Sequence, residues 1–441
     1  MKPPAMHERR TLQHFPGVLI ELALSIVVGA VAGLGAVGFR LLIDQVHDIF
    51  FDRGASLLAF MGHYYIILLP AIGGLLLGPL IHFLAREARG NGVPQVMEAV
   101  SLRGGRIRPI VSLVKVVSAS LCIGSGGSAG REGPIVQIGS SLGSSIGQIF
   151  RLSDDSLKTL VACGAAGGIA ATFNAPLAGA IFALEIVLRR VVTPIFAYVF
   201  LAAITANYVS SFFLPTGPIF AIPSFQFVSP VEIGLYALLG VIGALAAIAL
   251  MRAMFGLEDI FKAIEMPEYL KPAVGGLAVG LIGVYEAGVL GLGYGEIQQV
   301  LTGNLALWFL VLMAVLKIAA TSLTLGSGGS GGIFSPSLFV GAMLGAAFSR
   351  ALQSALPGDI GDPGAYAIVG MAAVFGAAAR APFTAVIVVI EMTRDYSLVL
   401  PLMASVSLAV AIVSVVSRGT IYTTSLMRRG VDIEKMDHAG N

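Results

Sequence analysis

The chain has 441 residues, of which 56% are hydrophobic and only 12% charged, whereas soluble proteins carry about 25% charged residues. Its 27 Lys and Arg against 25 Asp and Glu leave a net charge of +2, clustered between long uncharged stretches, which excludes a nucleic-acid binder and points to a protein that crosses a membrane several times. Glycine, at 55 residues, is well above its usual share of about 7%; in a membrane chain this lets helices approach closely or break, and broken helices in a bilayer line something wet.

Residues 1–16 read as a polar cytoplasmic segment with Lys2, Arg9 and Arg10. The apolar run from Gly17 is too long for a cleaved signal and lacks a cleavage site, so 17–43 is predicted as the first membrane helix and 64–85 as the second. Two crossings return the chain to its starting side, where Arg86, Arg89, Arg103, Arg106 and Arg108 lie; the positive-inside rule makes that side cytoplasmic. Arg189 and Arg190 mark a later internal return, and the absence of Lys and Arg from Val191 to Met251 makes the turn-rich stretch 215–230 an external loop. Arg252, Lys262 and Lys271, and then Arg418, Arg428 and Arg429, place further connections and the C-terminus inside. The expected organisation is therefore a membrane half over 17–214, the loop 215–230, a second half over 231–430 and a cytoplasmic tail over 431–441, with no soluble regulatory domain. A chain of this kind suits a prokaryotic inner membrane.

Cys122 and Cys163 lie in apolar helical stretches and the six histidines are scattered, so no disulfide framework, metal cluster or cofactor is expected.

The segment Gly124–Gly143 lies over Gly326–Gly345 with ten of twenty positions identical, and at the same offset Lys115 meets Lys317. A second block, Gly164–Glu185, lies over Gly370–Glu391 and matches Ala175-Pro176 with Ala381-Pro382. Duplicated halves with Gly-interrupted helices in corresponding places are a transporter signature, with the binding site where the interrupted helices meet. A Gly-rich loop followed by Pro at a helix start presents free N–H groups and the positive end of a helix dipole, which suits an anion. Partial charges also bind without trapping the ion. Gly326, Gly328 and Gly331 satisfy G-x-G-x-x-G, yet no Gly-Lys-Ser/Thr and no ribose-binding acid accompany them, so a nucleotide site is excluded.

Glu132 stands beside such a helix start, and an intramembrane carboxylate is a functional residue by default. It can compete with the anion for the same N–H groups, and protonation would release it. Arg131 is expected to satisfy carbonyls or an acid. Lys115 and Lys317 either raise the anion's local potential or pair, buried, with Glu185 or Glu391.

GNGVP at Gly90–Pro94, GREGP at Gly130–Pro134, GIFSP at Gly332–Pro336 and Tyr422 in GTIYTTSL together resemble the marks of the CLC family of chloride channels and chloride/proton exchangers, and the similarity covers essentially the whole chain. The resemblance implies an all-α, inverted-repeat bundle of tilted and broken transmembrane helices, and a homodimer with one anion pathway per subunit. It also implies that Glu132 gates, that the N–H groups of Ile333 and Phe334 with the Tyr422 hydroxyl hold chloride centrally, and that the N–H groups of Arg131 and Gly133 serve an outer position. Asn91 departs from the serine of chloride-preferring members, although its carboxamide can still donate to an anion. Ile186 departs from the second, proton-relaying glutamate of coupled exchangers, and isoleucine cannot titrate. Glu185, one residue away, is turned about 100° around its helix. On these residues the sequence favours passive, Glu132-gated chloride flow, with chloride/proton exchange as the alternative. No nucleophile-base pair or phosphate loop supports an enzyme or an ATP-driven pump.

Overall fold

The computed structural model describes residues 8–190, 193–223, 225, 231–303, 305–355, 361–433 and 435. Residues 1–7 of the polar N-terminal segment, residues 224 and 226–230 of the expected external loop and most of the expected C-terminal tail thus lie outside the described residues. The first half contains α1 (Glu8–His47), α2 (Gly54–Leu57), α3 (Leu68–Leu84), α4 (Val93–Leu102), α5 (Ile110–Gly124), α6 (Glu132–Ile149), α7 (Asp154–Phe173), α8 (Pro176–Phe182) and α9 (Thr193–Ser210). The second contains α10 (Val231–Ala263), α11 (Lys271–Tyr285), α12 (Tyr294–Thr302), α13 (Leu307–Gly326), α14 (Phe334–Ala355), α15 (Pro363–Ala379), α16 (Pro382–Thr393) and α17 (Val399–Val416), with α18 (Ile421–Met427) after it. Among the described residues the only β pairing is two isolated bridges, as expected of an all-α, inverted-repeat membrane bundle.

Seven helical stretches of the described residues are long and apolar enough to cross a membrane. The 10 residues of α4 and 9 of α12 rise only about 15 Å at 1.5 Å per residue, half of the roughly 30 Å of hydrocarbon; neither can cross alone. The first apolar stretch extends beyond the expected 17–43: α1 runs to His47 and continues as a π-helical turn over Asp48–Arg53. The second, expected over 64–85, is α-helical only from Leu68, after a 3₁₀ stretch over Ala59–Ile67. Apolar composition marks what lies in hydrocarbon and carries no signal for a change in hydrogen-bond pattern.

Helices α7 and α15 are buried on almost every face, which is why neither shows a polar stripe. Each is held to its neighbour by a glycine pair at corresponding repeat positions. A Cβ on Gly139 of α6 would lie 2.1 Å from the Gly164 carbonyl oxygen of α7, and one on Gly341 of α14 would lie 2.2 Å from that of Gly370 in α15. Any side chain there would separate the helices, so the small residues fix the depth of packing where no hydrophobic force between helices operates.

The two halves also exchange helix caps. Glu391, at the end of α16, accepts hydrogen bonds from the N–H groups of Leu177 (3.2 Å) and Ala178 (2.6 Å) in the first turn of α8. Glu185 accepts from Phe383 N (3.2 Å), Thr384 N (2.8 Å) and the Thr384 hydroxyl (2.6 Å) at the start of α16. A carboxylate at a helix N-terminus satisfies orphan donors and opposes the positive end of the dipole. Glu391→Ala and Glu185→Ala are therefore each expected to cost about 1–2 kcal/mol, read as a lower thermal unfolding midpoint of the detergent-solubilised protein; midpoints equal to wild type would remove these caps from the account of how the halves are joined.

Candidate functional site

The glycine loops of the two halves meet in backbone pairs. Gly130 N donates to Gly332 O at 2.7 Å and Gly332 N to Gly130 O at 2.6 Å, which sets the start of α6 against the start of α14. Gly90 N donates to Gly329 O (3.0 Å), and Gly331 N returns a bond to Gly90 O (3.2 Å). Irregular backbone at membrane depth must find such partners within the protein. Gly133 permits the approach of the third loop, because a Cβ there would lie 2.3 Å from Asn91 O.

Lys115 and Lys317 are fully buried and hold these loops from behind. Lys115 Nζ donates to Ala88 O (2.9 Å) and Gly90 O (2.6 Å). Lys317 Nζ donates to Val289 O and Gly291 O, both at 2.9 Å. The expected pairing of these lysines with Glu185 or Glu391 is therefore incorrect, since the lysines go to carbonyl oxygens and the glutamates to helix N-termini. The spacing of like residues along the chain reported that both pairs are duplicated but not what each pair faces.

Glu132 is 2% exposed and pairs with neither Arg131 nor Lys115. Its Oε1 accepts from the Tyr294 hydroxyl (2.9 Å) and from the Ser335 hydroxyl, and its Oε2 faces Ser335 N at 3.4 Å in the first turn of α14. The carboxylate of one half thus sits on donors of the other, at a helix start where N–H groups have no acceptor in their own helix. Arg131 reaches the Thr172 carbonyl oxygen at 3.4 Å and lies with its Cζ 5.5 Å from the Tyr294 ring centroid, in keeping with a structural side chain that satisfies a carbonyl.

Tyr294 was not visible to motif reading. Its signal is faint: GLGYG at Gly291–Gly295 repeats GNGVP at Gly90–Pro94 in its glycines alone. Those glycines do the same work twice, with φ of +73° and +99° at Gly90 and Gly92 and of +54° and +75° at Gly291 and Gly293, a region that favours glycine.

Two cavities are walled by residues next to or near Glu132, although Glu132 itself lines neither. One, of about 400 Å³, is walled by Arg131, Tyr294, Arg40, Asn174, Ser210 and Thr216, near the start of the 215–230 loop. The other, of about 60 Å³, lies at the basic end of the molecule and is lined by Asn91, Ile333, Glu258, Ser425, Arg89 and Arg429, among others. Ile333 and Phe334 stand at the start of α14, and Phe334 packs between Phe173 and Phe375, with ring centroids 5.1 and 4.3 Å away. Tyr422 is 2% exposed, and among the described residues its hydroxyl has no hydrogen-bond partner. Ser425 follows it by three residues on the same side of α18, and Arg429 lies in the turn just past the end of that helix, both in the lining of the basic cavity; as site residues neither was singled out by sequence. Asn91 Oδ1 accepts from Val93 N at 3.2 Å, the turn-capping bond typical of asparagine, which leaves the carboxamide nitrogen as its free donor. Ile186 is buried in a π-helical turn over Ala183–Leu188, away from these groups in sequence and with Glu185 committed to α16.

A family model described as voltage gated chloride channel matches residues 73–414. A ClcB-like protein of Ralstonia nicotianae is 32% identical over 427 residues, covering 95% of this chain and 100% of that one. An H(+)/Cl(−) exchange transporter, ClcA of Vibrio parahaemolyticus, is 33% identical over 428 residues, covering 92% and 89%. A solved structure described as a slow cyanobacterial Cl−/H+ antiporter superposes with a TM-score of 0.83 at 26% identity, over 93% of this chain and 97% of the other.

Tyr294→Phe keeps the ring beside Arg131 and removes one donor to the carboxylate. A hydrogen bond to a charged group is worth about 1.5–3 kcal/mol, so Glu132 should leave its place more readily and chloride efflux from proteoliposomes at neutral pH should rise about tenfold. Efflux at the wild-type rate would show that Tyr294 does not hold Glu132.

Proposed function

The chain belongs to the CLC family of voltage-gated chloride channels and transporters, a family of multi-pass anion-transporting membrane proteins, and from that premise we propose that it exchanges chloride for protons through one Glu132-gated pathway. The observation that carries the reading is the Glu132 carboxylate, held by the Ser335 N–H and by two hydroxyls rather than by a fixed cation. Donors of this kind are equally suited to a chloride ion. An arriving anion and the carboxylate therefore compete for one place, and a protonated Glu132, neutral and poorer as an acceptor, yields it. Each displacement leaves the carboxyl group free to take or give a proton on one side.

The N–H groups of Ile333 and Phe334, with the Tyr422 hydroxyl, act as the central chloride donors, and those of Arg131 and Gly133 serve the outer position. Asn91 donates through its nitrogen at the basic cavity. The basic segments are cytoplasmic, which puts that cavity and both termini on the inner side of the cell membrane. Two subunits form a homodimer, each with its own pathway.

Exchange replaces the passive flow favoured by Ile186, because relatives covering nearly the whole chain carry the names H(+)/Cl(−) exchange transporter and Cl−/H+ antiporter. Passive flow keeps one observation in its favour: Ile186 cannot titrate and Glu185 is bound to the start of α16. Purified protein in liposomes, with an imposed chloride gradient and the voltage set by valinomycin, separates the two readings. Chloride efflux is expected to drive proton uptake against the proton gradient, and Glu132→Gln to abolish the proton movement while chloride still flows. Chloride flow without linked protons in the wild type would establish the passive reading instead.

Asn91→Ser should raise the chloride-to-nitrate flux ratio severalfold in the same vesicles. An unaltered ratio would leave Asn91 as a turn cap with no contact to the ion.

A further inference from the structure

A second basic cavity, of about 250 Å³, lies where the end of α3 meets the start of α11, lined by His82, Arg86, Arg89, Glu268, Pro272 and Gly328 with their neighbours. Its charges are unbalanced. Glu268 uses one oxygen on Lys271 Nζ (2.6 Å) and the other on Arg89 (2.7 Å), so both of its oxygens are taken. Burial raises the Glu268 pKa, but the hydrogen bonds from Lys271 and Arg89 outweigh it and hold the carboxyl below its usual range, so it stays ionised and bound to those two cations. Arg86 makes only a long bond, from Nε to His82 O at 3.4 Å, and among the described residues its terminal nitrogens have no acceptor. The cavity thus presents a guanidinium fork whose terminal donors are not taken up by any carboxylate of the described residues.

The surroundings indicate what kind of anion fits. The helices that form the cavity present an apolar slope to the exterior: Leu75, Leu76, Phe83 and Leu84 on α3, and Val274, Leu277 and Leu281 on α11, are all exposed. Phe83 lies 4.9 Å from the His82 ring and 5.9 Å from that of Tyr269, an aromatic cluster of the sort found at headgroup level. A cationic cavity at the end of an exposed apolar slope, on the basic side of a membrane protein, matches a molecule with a phosphate at one end and acyl chains at the other. We propose that this cavity binds the headgroup of an anionic phospholipid, with Arg86 as the principal phosphate ligand and His82 and Arg89 beside it.

The site bears on transport through Arg89, which also lines the cavity that holds Asn91 and Ile333. A Cβ on Gly328 would lie 3.0 Å from Arg89 Nε, so the guanidinium rests directly on the loop that leads to Gly332. A phosphate competes with Glu268 for Arg89 and thereby acts on the brace of that loop. This inference is independent of whether protons are coupled to chloride.

Native mass spectrometry of the purified full chain in detergent doped with equal amounts of phosphatidylglycerol and phosphatidylcholine tests it. Wild-type protein should retain phosphatidylglycerol preferentially, Arg86→Gln should weaken that preference about fivefold, as expected for one cationic group at a lipid surface, and Arg86→Lys should keep most of it. Arg151→Gln, outside the cavity, should resemble wild type. Equal preference in wild type and Arg86→Gln would overturn the proposal. So would thermal protection by inorganic phosphate equal to that by phosphatidylglycerol, which would assign the cavity to a soluble phosphate. If Arg86→Gln does not fold, crosslinking of photoreactive phosphatidylglycerol to the wild type decides: label on residues 81–89 supports the site, and label confined elsewhere overturns it.

Discussion

The paired hydrogen bonds between Gly130 and Gly332 are the constraint on which the rest of the site depends. Each loop precedes a helix start, and the pair brings two positive helix ends together with the Glu132 carboxylate of one lying on the first turn of the other. Only glycine allows that closeness, and only mutual pairing satisfies the backbone in a region without bulk water. The orientation of α6 and α14 and the position of Glu132 on Ser335 follow from it. The glycine contacts of α6 with α7 and of α14 with α15 then hold the helices behind the loops at the depth this geometry needs.

Two buried lysines and two half-buried glutamates are each given backbone partners. Lys115 and Lys317 fasten carbonyls of the Ala88–Gly90 and Val289–Gly291 segments, and Glu185 and Glu391 fasten N–H groups of α16 and α8. A lysine free at the centre would bind chloride too tightly to release it, and a second free carboxylate would repel it. Glu132 differs because its partners are two hydroxyls and one long N–H contact instead of a pair of backbone groups.

The fold class and the duplicated architecture were legible in the sequence because both have strong signals: apolar runs of membrane length, and two blocks of matched glycines. Glu132, Ile333 and Tyr422 were singled out through the motifs around them, and the structure sets Glu132 against the start of α14 and Ile333 in the wall of the basic cavity. Tyr294 was hidden because its block shares only glycines with Gly90–Pro94, and glycine similarity reports a backbone shape, not a side chain's task. The lysine pairing was misjudged for a related reason. Opposite charges suggest each other in a linear reading, but carbonyl oxygens, which every residue carries and no sequence pattern marks, were nearer. The π-helical turn at Ala183–Leu188 likewise has no side-chain signature to read.

A repeat supplies two near-copies of one scaffold, so any asymmetry of the site has to come from positions where the copies differ. At the shared offset, Glu132 corresponds to Phe334, Arg131 to Ile333 and Gly133 to Ser335; in the short-helix loops Val93 corresponds to Tyr294. Each exchange puts a polar or titratable group in one half where the other has an apolar or minimal one. The first half contributes the acid, and the second contributes the hydroxyls and helix start that receive it. Had both halves carried the acid, two carboxylates would face each other across the Gly130–Gly332 pair and repel. Had neither, nothing would contend with the anion. The shared scaffold builds the meeting place, and the mismatches within the repeat give it two chemically different sides.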